Sequence, residues 1–152
     1  MNLAELFKAT SLDVFEAMTY LGFATNQDYT PINYLVVDDL SEYNTNTPQA
    51  QAGFDVEART VVLPKNLLSD PEQLWCSVCH ELTHAHQPVE SILRDQFLPY
   101  YFQEIEKQAY IVQAYLYGKL MAGKTISKLT HDNILAKLEY EWLKLRITSL
   151  SN

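Results

Sequence analysis

Only two cysteines and four glycines occur in this chain of 152 residues, and both shortages carry information. Cys76 and Cys79 fall within one stretch that reads as helix, so they cannot form the disulfide framework of a small secreted domain. With so little glycine there is no flexible linker, and no internal repeat or low-complexity tract divides the chain either. The expectation is one domain over residues 1–152, with 47% hydrophobic residues to close a single core. Basic residues are also few: 11 Lys and Arg stand against 19 Asp and Glu, for a net charge of -8, and they form no run. Such a surface would not neutralise a phosphate backbone, which argues against nucleic acid as a partner. Nowhere do apolar residues approach the roughly 20 that a spanning helix needs. The first eight residues are amphipathic and include Glu5, unlike a signal peptide, so no membrane partner and a cytoplasmic location are expected.

What is present is a succession of periodic segments. Leu3, Leu6 and Phe7, then Val14, Phe15, Met18 and Leu21, recur at helical spacing, with Ser11 placed to cap between two short helices. Three runs then read as strands: Ile32 to Val37, Gly53 to Val56 and Thr60 to Leu63. The last two are close enough for a hairpin turning near Glu57 to Arg59. Ser69 or Asp70 can cap the next helix, with Pro71 in its first turn, and Pro88 stops it after about Gln87. A further helical segment from near Pro99 to near Gly123 carries Phe102, Ile105, Ala109, Val112, Leu116 and Leu120 along one stripe. A last helix presents Ile134, Leu138, Trp142 and Leu145.

The chemistry lies in His80-Glu81-Leu82-Thr83-His84. Residues four apart on a helix project side by side, so His80 and His84 can offer two imidazoles to one tetrahedral metal. Glu81, about 100° further round, lies beside such a metal rather than on it, where a general base would act on water. Leu74, Val78, Leu82 and Ala85 form a separate apolar face on the same helix.

Zinc requires a third protein ligand. Glu106 is the first candidate, since it lies about 80° from the centre of the apolar stripe on the following long helix, nearer the interior than Glu104. The competing reading of Glu106 is an ordinary solvated carboxylate. Glu90 is the rival ligand, ten residues after His80, although a chain folding back to place it usually uses Gly at position 87, where this chain has Gln87 followed by Pro88. His86 points away from the pair, and His131 reads as a surface residue near a helix start. Tyr110 and Gln113 share the Glu106 side of their helix, which makes Tyr110 a candidate oxyanion donor, with plain packing as the alternative. Cys76-Ser77-Val78-Cys79-His80 also matches a c-type haem attachment pattern, but that reading leaves the rest of the His80 to His84 motif unexplained. The cysteines are better read as small packing residues.

In these residues the chain resembles the zincin metallopeptidases, in particular the minimal gluzincins and ImmA-like peptidases. The resemblance rests on His80 to His84, on Glu106-Lys107-Gln108-Ala109 as a downstream Glu-x-x-Ala element, and on the order helix, sheet, helix, helix, over roughly Ile32 to Leu120. It implies an α+β, zincin-like fold: an N-terminal helix and a small, mostly antiparallel three-stranded sheet, then an active-site helix, a ligand helix and a C-terminal helix. It implies Zn2+ on His80, His84 and Glu106, with Glu81 as base and acid in peptide hydrolysis. A peptide or protein substrate would lie along an exposed strand of the Gly53 to Leu63 region. The alternative is a catalytically inactive binding or regulatory protein that keeps the same fold and metal.

Overall fold

The first helix, α1, runs unbroken from Leu3 to Leu21 in a computed structural model that describes residues 2–28, 30–40 and 52–122. The Asn2 side chain accepts the Glu5 amide at 2.9 Å to start it. Gly22, at φ 77, ends it in the left-handed region that glycine enters without a Cβ penalty. The expected break at Ser11 does not occur. No Pro or Gly interrupts this stretch, and the Ser11 hydroxyl is engaged with His86 Nε2 at 3.0 Å instead of a helix amide. One face of α1 buries Phe7, Thr10, Val14, Ala17 and Met18.

Strands β1 (Asn33–Val37), β2 (Gly53–Asp55) and β3 (Thr60–Pro64) form one sheet in the order β1-β3-β2. β2 and β3 make the expected antiparallel hairpin, with Asp55 opposite Thr60 and Gly53 opposite Val62. In its turn Asp55 Oδ1 accepts the Ala58 amide at 3.0 Å, and Arg59 takes φ 51. The sheet is nonetheless mixed rather than mostly antiparallel, because β1 runs parallel to β3 from Asn33 beside Thr60 to Val37 beside Pro64. A parallel pair needs a long crossover, and the chain between Val37 and Gly53 is long enough to supply it. As the central strand β3 is covered on both faces, which buries Val61, Val62 and Leu63.

After a 3-10 turn at Lys65–Ser69 comes α2 (Pro71–His86), started as expected by Asp70, whose side chain accepts the Gln73 amide at 3.2 Å. A short helix that the periodicity did not announce, α3 (Val89–Asp95), follows Pro88. A 3-10 turn at Tyr100–Phe102 then leads into α4 (Glu104–Ala122). The last expected helix, with Ile134, Leu138, Trp142 and Leu145, lies outside the described residues, as does Gly123.

The described residues thus form an α+β arrangement of four helices and a three-stranded mixed sheet. Its core joins Val14 and Met18 of α1, Val61 and Leu63 of β3, Val78, Cys79 and Leu82 of α2, and Val112, Tyr115 and Leu116 of α4. Helix α2 is the hub, packed against α1, α4 and the sheet, and it carries the His80 to His84 motif. Among the described residues no helix is long and apolar enough to cross a membrane.

Candidate metal centre

The two faces of α2 have different duties. Val78, Leu82 and Ala85 are turned into the protein and are essentially inaccessible, while His80 and His84 face α4. The imidazole centroids are 5.0 Å apart, as expected for residues one helical turn apart. Helix α4 brings Glu106 between them: Oε2 lies 2.8 Å from His80 Nε2, and Oε1 lies 3.0 Å from His84 Nε2. Within this group, one ligand atom from each residue lies within 4.8 Å of the others.

His80, His84 and Glu106 could therefore hold a metal ion, and the chemistry of the donor set fits one. Gln87, buried beside His84, places its Oε1 2.7 Å from His84 Nδ1. A neutral His84 that donates from Nδ1 presents an Nε2 lone pair to a carboxylate oxygen, and two acceptors at 3.0 Å require a proton or a cation between them. In the metal-free protein a proton does this work. Burial opposes a charge on His84, but the Glu106 carboxylate and its hydrogen bond outweigh that and raise the imidazole to about 9. The same contacts reach Glu106. Burial would raise its carboxyl, yet the two imidazoles hold it well below the usual carboxylate range.

Glu81 is buried next to this group. Desolvation raises its carboxyl, and the neighbouring imidazoles offset part of that. A carboxylate whose proton affinity is raised inside a polar cluster is suited to take and return protons.

Glu90 is not part of the cluster; it is exposed in the first turn of α3. Tyr110 does reach the site. Its ring meets His80 edge-on at 4.6 Å, and its hydroxyl is 2.8 Å from that of Tyr100. Tyr100 was not anticipated: its hydroxyl donates to Glu106 Oε2 at 3.2 Å, so the two tyrosines form a short hydrogen-bonded chain ending on the carboxylate. Tyr100 sits in a 3-10 turn with no apolar period, and among many tyrosines nothing in the sequence marks it. Gln113, on the same side of α4, lies toward Cys76, where its amide offsets part of the rise that burial gives the thiol. Both cysteines are free, and Cys79 is part of the core.

His86 points the other way, as its place on the helix requires. It bonds Ser11 and stands edge-on to Phe15, while burial, helped by the nearby Arg59 charge, lowers its imidazole to about 4. His131 lies outside the described residues. In comparisons with protein-family models, curated proteins and solved structures, no match to this chain was found.

Proposed function

We propose that the chain is a zinc-dependent peptidase with a zincin-like fold. The observation that carries this reading is the convergence of two helical imidazoles, one carboxylate from a second helix and a buried, adjacent Glu81. Two histidines and a glutamate that leave a coordination position open are the donor set of catalytic rather than structural zinc sites. A zinc ion bound there would acidify water and polarise a scissile carbonyl.

The chain's own residues have the remaining tasks. Glu81 takes the proton of the attacking water and returns it to the leaving amine. Tyr110, held against His80, can turn its single O–H from the Tyr100 hydroxyl to the developing oxyanion. Of the Gly53 to Leu63 region, β3 is the central strand, so among the described residues β2 alone has an edge not paired to a strand, along which an extended peptide could pair. Backbone pairing selects little by side chain, which suits a peptide or unfolded protein substrate.

Metal content of the untagged protein tests this directly, together with hydrolysis of a denatured, dye-labelled protein. The expected result is about one zinc per chain, lost in His84→Ala, weakened in Glu106→Ala and unchanged in Glu90→Ala. Glu81→Gln should keep the zinc and lose hydrolysis. A wild type that takes up no zinc overturns the metal reading, and one that holds zinc without cleaving anything leaves a metal-holding binding protein.

A further inference from the structure

We propose that Gln87 is a positioning residue for this metal centre, fixing the tautomer of His84 and its spacing to the helix that carries Glu106. The inference rests on the metal reading above. Gln87 is 1% exposed, which is unusual for an amide side chain and demands partners for its polar atoms.

Its Nε2 donates to the Ile105 carbonyl at 2.9 Å and, at longer range, faces Gln108 Oε1 at 3.4 Å. A carbonyl can only accept, so the nitrogen must be the atom facing Ile105. That leaves Oε1 toward His84 Nδ1, at 2.7 Å. Oε1 also only accepts, so Nδ1 must carry the proton, and the lone pair of the neutral ring is on Nε2, the atom directed at Glu106.

The amide is launched from a fixed point. The Gln87 N–H closes α2 on the Thr83 and His84 carbonyls at 3.1 and 3.2 Å, and its own carbonyl accepts from Asn26 Nδ2 at 3.0 Å. One side chain therefore grips the ring of one ligand and, through Ile105, the turn that bears the next. Partners of this kind around zinc typically govern affinity by about 10- to 100-fold.

The test uses the full untagged chain. Zinc affinity is read by competition with a chromophoric chelator, ligand geometry by the visible bands of the Co2+-loaded protein, and folding by circular dichroism. Gln87→Met, similar in shape but without the amide, should weaken zinc binding about 10- to 100-fold and change the Co2+ bands. Gln87→Glu keeps an acceptor for Nδ1 and should recover much of the affinity. A folded Gln87→Met with wild-type affinity and bands overturns the proposal.

Should Gln87→Met fail to fold, the wild type alone decides: long-range 1H–15N spectra of the zinc-loaded protein should show His84 protonated at Nδ1. Zinc on Nδ1 with the proton on Nε2 would overturn the inference. A wild type that takes up no zinc fails the metal reading itself, so the two failures are distinguishable.

Discussion

Replacing Asp95 with alanine should loosen the start of α4 and, with it, Glu106, the carboxylate of the candidate metal centre. Asp95 closes α3 and is 2% exposed. Its Oδ2 accepts the buried Ile105 amide, ten residues away in sequence, at 3.0 Å. Gln103, which precedes α4, turns its side-chain amide to the Leu98 carbonyl instead, donating from Nε2 at 2.9 Å. Asp95 thus supplies from outside the helix what an N-cap residue normally supplies from within it. Removal leaves a buried N–H unpaired, at a cost of about 1–3 kcal/mol, and about 2 kcal/mol is expected for Asp95→Ala. The ion pair with Arg94 adds little, since that side chain is 68% exposed. Asp95→Asn keeps an acceptor and loses mainly the charge at the helix start, about 0.3–1 kcal/mol. Urea unfolding measures both, with a shifted midpoint and unchanged slope. Zinc affinity of Asp95→Ala should fall as well, because Glu106 follows Ile105 directly. If Asp95→Ala lies within about 0.5 kcal/mol of the wild type, the range of an ordinary surface substitution, the capping argument is wrong.

Leu82→Ala, at a fully buried position between the ligand residues, should cost about 2–5 kcal/mol in thermal or urea unfolding while the folded fraction keeps its zinc stoichiometry. The metal-free protein should lose stability as pH rises from 6.5 toward about 9, because the raised His84 imidazole stabilises the fold only while protonated. The same proton must leave on metal uptake, so zinc affinity should rise about tenfold per pH unit over that range, and calorimetry in buffers of different ionisation enthalpy should detect about one proton released. No pH or buffer dependence would refute this. Cys76, whose thiol is raised above its ordinary value chiefly by burial, should react with iodoacetamide more slowly than a free cysteine until the chain is unfolded.

Local chemistry made much of this molecule legible. Asp70, Pro71 and Pro88 bound α2 because caps and proline act within a turn of where they stand. The hairpin was legible because β2 and β3 are neighbours along the chain. His80 and His84 needed only helical geometry, and Glu106 needed only the buried stripe of α4, whose Ile105, Ala109, Val112 and Leu116 are indeed buried. What stayed hidden depended on partners remote in sequence. Ser11 resembles a cap until His86 is seen to occupy its hydroxyl. The pairing of β1 with β3 rather than β2 decides the mixed sheet, and nothing inside β1 encodes that choice.

The choice between Glu106 and Glu90 turns on one residue that sequence reasoning treated only as a missing glycine. Bringing Glu90 back to His80 and His84 calls for a sharp reversal just after the motif, for which glycine's access to positive φ is the usual device. Gln87 instead takes an extended conformation, φ -75 and ψ 151, and Pro88 continues outward into α3. Glu90 is thereby carried into solvent. The side chain that glycine would have lacked reaches inward to Ile105 and draws in the first turn of α4. The residue that keeps the near carboxylate away is thus the one that docks the distant one, so the carboxylate that joins His80 and His84 is chosen by the backbone at position 87 and the amide attached to it.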